Sequence, residues 1–120
     1  MGEDMNLLTP ATDQLLQQDG VLGEIVRRLV QAYQPEAIYL FGSKARGDAS
    51  PDSDYDLVVI VPDGAPMERQ RSKLAYQVLW GTRSAADVLI MTRSRFESRL
   101  HIKASLPATV MREGRLLHAV

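Results

Sequence analysis

The sequence predicts a small α/β domain, and three observations predict it. Apolar residues recur at helical spacing over 21–34. Short runs rich in β-formers occupy 37–41, 55–61 and 86–91. Turn-forming residues separate these stretches. The expected order is helix, strand, short helix, strand, helix, strand, helix. At 120 residues the chain is one domain, long enough for a single hydrophobic core. We divide it into a partly flexible or helical N-terminal segment, 1–20, and a domain over 21–120.

Thr9 and Pro10 resemble an N-cap and a first-turn proline, so a helix is expected to begin there, and Asp19-Gly20 interrupts it. Leu22, Ile25, Val26, Leu29, Val30 and Tyr33 then share one helix face, and Pro35 ends that helix. Ala37 to Phe41 reads as a strand. Gly42-Ser43 leads into a helical turn or two ending near Gly47. Asp48 to Ser53 is a loop. Tyr55 to Val61 is almost wholly apolar, which predicts a central strand covered on both faces.

After the turn Pro62-Asp63-Gly64, the residues Met67, Arg71, Leu74, Ala75, Val78 and Leu79 fall on one helical stripe, with Gly81 as its C-cap. Trp80, at that helix end, is expected in the core. Ala86 to Met91 is a third strand. Thr92 or Ser94 caps the next helix, which is expected to carry Phe96 and Leu100. A short helix over Pro107 to Arg112 stops at Gly114, and Leu116 and Leu117 add a last strand or pack the tail.

Composition narrows the function. An apolar share of 45% and a charged share of 24% are those of an ordinary globular protein. Without cysteine the chain has neither a disulfide framework nor a thiolate metal site. It shows no secretory signal and no run of the ~20 apolar residues a membrane helix needs, so the expected setting is the cytoplasm, away from membranes. Net charge is −1, unevenly spread: residues 1–65 hold eleven acids and four Lys or Arg, residues 66–120 four acids and ten Lys or Arg. The basic half suits nucleotide phosphates or an acidic partner. Zinc-finger spacing and an aromatic RNA-binding box are absent, so direct nucleic-acid binding is not expected.

The chemistry concentrates in Gly42 to Leu57, GSKARGDASPDSDYDL. On a strand Asp54 and Asp56 share a side, with Tyr55 turned the other way. Their Cα atoms lie about 6.5 Å apart, which suits two carboxylates converging on a divalent cation. Magnesium takes one or two carboxylates together with substrate phosphate oxygens. Asp56 runs directly into LVVIV, where an unpaired carboxylate is costly, so a cation or a cluster of donors is expected beside it. Asp87 opens the next strand at the corresponding position and reaches the same site if the two strands are neighbours. Gly42 lets backbone approach a ligand closely, and the Ser43 hydroxyl can bond a phosphate oxygen. Lys44 and Arg46 lie close enough to offset phosphate charge. His101 and His118 join no metal or nucleophile constellation.

The same residues resemble the signature of the polymerase-β-type nucleotidyltransferase superfamily. They are most similar to its minimal nucleotidyltransferase (MNT) group, whose motif runs G-S-x-A-R-G, a spacer, then S-D-x-D-L. The match falls on Gly42, Ser43, Ala45, Arg46, Gly47, Ser53, Asp54, Asp56 and Leu57, with the third acid of the family on Asp87. It extends over roughly Val21 to the C-terminus. The resemblance implies a small mixed sheet flanked by helices. It further implies that Asp54 and Asp56 bind two magnesium ions and the nucleoside triphosphate, that Asp87 completes the metal site and helps activate a hydroxyl, and that Gly42 and Ser43 hold the β- and γ-phosphates. MNT proteins of this size resemble antitoxins that transfer AMP from ATP to a tyrosine of an all-helical HEPN ribonuclease toxin. The resemblance thus implies ATP as substrate and a hetero-oligomer with such a toxin. Two alternatives stand beside it. One is an antitoxin that acts by binding alone. The other is a small-molecule nucleotidyltransferase whose acceptor site comes from another chain.

Overall fold

The computed structural model describes residues 16–48, 53–82 and 85–120. The helix start expected at Thr9-Pro10 and most of the loop after Asp48 lie outside them. Helix α1 is Gly20–Tyr33. The break expected at Asp19-Gly20 is a cap: after a helical turn at 16–18, the Asp19 carboxylate accepts the Leu22 N–H at 3.0 Å. Gln34 takes the left-handed conformation (φ 48°) and Pro35 bars continuation.

Four strands follow, β1 (Ala37–Phe41), β2 (Tyr55–Val61), β3 (Ala86–Thr92) and β4 (Arg115–Ala119). They form one mixed sheet in the order β3-β2-β1-β4. Strand β1 runs antiparallel to β2 and β4, whereas β2 and β3 are parallel. Helix α2, Gly42–Arg46, leaves β1 directly. Helix α3 is Lys73–Val78, α4 is Arg93–Ser98 and α5 is Leu106–Glu113.

The sheet is covered on both faces, as the apolar β2 requires. Alternate residues Tyr55, Leu57, Val59 and Val61 of β2 meet α1 and α3. Val58 and Ile60 face α4 and α5, packing with Phe96 and Val110. On that second face the Tyr39 and Phe96 rings stack with centroids 6.1 Å apart. Among the described residues no helix is long and apolar enough to cross a membrane.

The structure corrects the expected helix over Met67 to Leu79. Met67–Gln70 is a 3-10 turn, Arg71 is extended (φ −120°, ψ 147°), and only Lys73–Val78 is α-helical. A buried phenol holds the break: Tyr33 Oη donates to the Arg71 carbonyl at 2.5 Å and accepts the Ala75 N–H at 2.8 Å. These bonds replace ladder bonds that a continuous helix would make. Leu79 is the C-cap, and Gly81 (φ +88°) lies in the turn beyond it.

Trp80 is 86% exposed, not a core residue. Leu79 fills the buried position at that end, and the turn sends the next side chain outward. Leu100 is likewise outside the helix expected to carry it, because α4 ends at Ser98. Thr92 is the cap of α4, accepting from Arg95 N–H.

Candidate functional site

Strand register assembles the site. Phe41 pairs with Asp56, and Asp56 pairs with Asp87, so one row crosses β1, β2 and β3 at the end of the sheet where β2 and β3 begin. By strand alternation all three side chains take the α4/α5 face. The condition left open for Asp87 is therefore met: its strand neighbours β2, parallel and in register with Asp56. Asp54 precedes β2 and is exposed, as is Asp87, while Asp56 is half-buried.

The backbone at Gly42 curves around Asp56. Gly42 has φ +74°, and a Cβ there would press into Asp56 Oδ2 and lie 3.1 Å from Asp56 Cγ. Glycine is thus required twice, for its backbone angle and for the room it leaves. Ser43, half-buried, follows in the first turn of α2, and no side chain caps that end. Gly47 (φ +83°) closes the helix, its N–H donating to the Ser43 carbonyl at 3.0 Å.

Asp56 feels the cost expected of a carboxylate at the head of an apolar strand. Burial holds its carboxyl above the usual carboxylate range, the charges of Asp87 and Asp54 push it the same way, and Arg46 pulls it down. An acid with two others close enough to raise its pKa belongs to a donor set suited to a hard cation. As placed, however, among the described residues no three acidic or histidine side chains converge tightly enough to hold a metal ion.

The two cations of α2 part company. Arg46 is exposed and bridges Asp48 at 3.2 Å and Glu113 of α5 at 3.6 Å, yet its charge reaches Asp56. Lys44 turns to the opposite face, its Nζ 4.5 Å from the centroid of the Tyr55 ring. Tyr55 Oη in turn donates to Asp19 Oδ2 at 2.6 Å. Burial, and then that hydrogen bond, raise the phenol well above its ordinary pKa. The side chain between the two acids thus anchors to the head of α1. Sequence reasoning placed Tyr55 on the far side but missed Asp19, since nothing in the spacing of the two links them.

The fold has solved counterparts. A toxin–antitoxin crystal structure with AMP-PNP is similar over 80% of this chain and 72% of that one, at 24% identity and a TM-score of 0.53. A candidate nucleotidyltransferase from Sulfolobus solfataricus is similar over 72% and 75%, at 20% identity and a TM-score of 0.50. The MntA–HpeT toxin–antitoxin, carrying two Asp-to-Glu changes two positions apart, is similar over 79% and 71%, at 19% identity and a TM-score of 0.50. No curated protein matches. Likeness at these identities establishes the fold, a mixed sheet of the polymerase-β type. The family follows from the sequence itself: residues 22–116, running from α1 through the acid row to the start of β4, match the nucleotidyltransferase domain, and the chain belongs to that family.

Proposed function

We propose that this nucleotidyltransferase is an antitoxin that transfers AMP from ATP to a tyrosine of a HEPN-family ribonuclease toxin and thereby silences it. The observation that carries the transfer chemistry is the in-register pair Asp56 and Asp87, with Asp54 beside it and Gly42 wrapped around Asp56. An adenine nucleotide analogue in a toxin–antitoxin structure of similar fold supports ATP and the biological role.

Asp54, Asp56 and Asp87 would hold magnesium together with oxygens of the nucleotide's phosphates, and the ion would supply charge neutralisation for the transferring phosphoryl group and the leaving pyrophosphate. Gly42 brings its backbone against the β- and γ-phosphates, and the Ser43 hydroxyl donates to one of their oxygens. Arg46 offsets charge at the same end. Asp87, on the outer strand, faces the incoming tyrosine hydroxyl and takes up its proton. The phenolic oxygen bonds to the α-phosphorus, the bond from that phosphorus to the bridging oxygen breaks, and pyrophosphate leaves. Lys44 has no part in this scheme, because its ammonium lies over Tyr55 on the other face.

The test is label transfer from ATP with magnesium, in lysate and with a HEPN protein encoded alongside. α-³²P on a protein band, lost with Asp54→Asn and Asp56→Asn and absent with γ-³²P, supports the reading. γ-Label on the band means phosphoryl transfer and overturns it. A stable complex without label means an antitoxin that acts by binding alone.

A further inference from the structure

We infer that the acceptor is a protein that docks around the edge strand β3, resting on Tyr76 and Trp80 on one face and reaching Asp87 on the other. This deepens the transferase reading above and rests on it.

The direction of approach comes from the order of the strands. The proposed phosphate end, Gly42-Ser43, leaves β1, the carboxylates stand on β2 and β3, and β3 is the outer strand of the sheet. In-line displacement requires the attacking oxygen opposite the leaving pyrophosphate. With pyrophosphate at β1, the acceptor enters from beyond β3. Along that strand Asp87 is exposed and Leu89 is 40% exposed.

The surface beyond β3 is shaped for such a visitor. Trp80 (86% exposed) and Tyr76 (51% exposed) form a ridge. A hollow of about 650 Å³ on one side is lined also by Leu79, Ala85 and Ala86, and one of about 660 Å³ on the other by Ser72, Lys73 and Gln77. The base of the ridge is held from α1, since Arg28 Nη1 donates to the carbonyls of Val78 at 3.1 Å and Trp80 at 3.2 Å. Exposed aromatic side chains on a fixed backbone are typical anchors of protein interfaces.

The size of the occupant follows from strand alternation. Ala86 lines the first hollow, and Asp87, the next residue, points to the opposite face. A small molecule in the hollow would have the strand between itself and the carboxylates. A macromolecule that curls around the edge touches both. Its class follows from charge. Lys73 is the one cation among the described residues that line the two hollows, and Asp87 adds a negative charge at the edge. A polynucleotide needs several cations on its phosphates, whereas a protein needs the apolar lining present here.

The test combines the α-³²P assay with mapping. Trp80→Ala and Tyr76→Ala, both on exposed side chains, should raise KM for the labelled protein at least tenfold. Binding of ATP without acceptor, read by calorimetry, should not change. A benzoylphenylalanine photocrosslinker at position 76 should capture the same protein that mass spectrometry finds labelled, and one at Val120, by the opposite sheet edge, should not. Labelling with an unchanged KM, or capture from position 120 instead of 76, overturns the docking site and leaves the transferase reading intact. α-Label on RNA or on a small molecule overturns the protein acceptor. No α-label on any acceptor sinks the transferase reading and this inference with it.

Discussion

The Asp56 carboxylate occupies the space that a side chain at Gly42 would need. Glycine at position 42 is therefore as much a part of the acid site as the aspartate. Gly42→Ala forces a β-carbon into a left-handed backbone and into Asp56, costing about 1–3 kcal/mol of stability from the backbone alone. Transfer should fall at least a hundredfold, read from initial rates of label transfer, and the melting temperature should drop. Wild-type rates with this variant would show that the Gly42 backbone does not shape the site.

Asp56 behaves as a strained charge. Because burial and the neighbouring acids raise its pKa, its ionised form disfavours the folded state at neutral pH. Asp56→Asn should abolish transfer and yet leave the melting temperature in chelator equal to wild type or higher. Magnesium should raise the melting temperature of wild type and not that of the variant. Calorimetry with and without magnesium tests both halves, and a less stable variant in chelator contradicts the electrostatic argument.

Arg46 and Lys44 are two residues apart but should fail differently. Arg46→Ala removes an exposed pair with Asp48 and Glu113, so stability should hardly change. KM for ATP should rise severalfold. Lys44→Ala should lose about 0.5–1 kcal/mol from its contact with Tyr55 and leave KM for ATP near wild type. Denaturant titrations beside ATP-dependence curves separate the two.

The Tyr33 hydroxyl serves two backbone groups at the break before α3. Tyr33→Phe keeps the ring and strands the Ala75 N–H and the Arg71 carbonyl, so the loss should be about 1–3 kcal/mol in urea unfolding. An unchanged midpoint would mean that other partners hold the break.

His118 sits on β4 opposite Ile38, and burial lowers its pKa below 6.5. Below its unfolded value the unfolded chain therefore binds a proton that the folded chain resists. Its contribution is full above pH 6.5 and is lost as pH falls from there towards the lowered folded value. His118→Gln should flatten that part of the stability curve, measured as urea midpoints across pH 5–8.

Much of this was legible because it is local. Tyr55 to Val61 announces a central strand by apolar content alone, and the DxD spacing with Gly42 marks the site before any strand is paired. The pairing of Asp56 with Asp87 followed once the two strands were taken as neighbours. What escaped depends on partners distant in sequence. Met67 to Leu79 has a sound helical stripe, but the phenol of Tyr33, from another helix, offers its backbone different bonds and breaks it. Trp80 looked buried because apolar residues usually are, yet Leu79 had already taken the inward place. Lys44 looked like a phosphate ligand from its position in the motif, and only the ring of Tyr55 explains its turn to the other face.

The bond from Tyr55 to Asp19 gives the residue between the two acids a history of its own. A phenol there needs an acceptor at the head of α1, and that acceptor is also the cap of the helix. In chains that keep this frame, positions 19 and 55 should drift as a pair, with tyrosine giving way to an aliphatic residue where the capping group changes to one too short to reach. A family alignment coloured by those two columns would then separate lineages that share the same acid row.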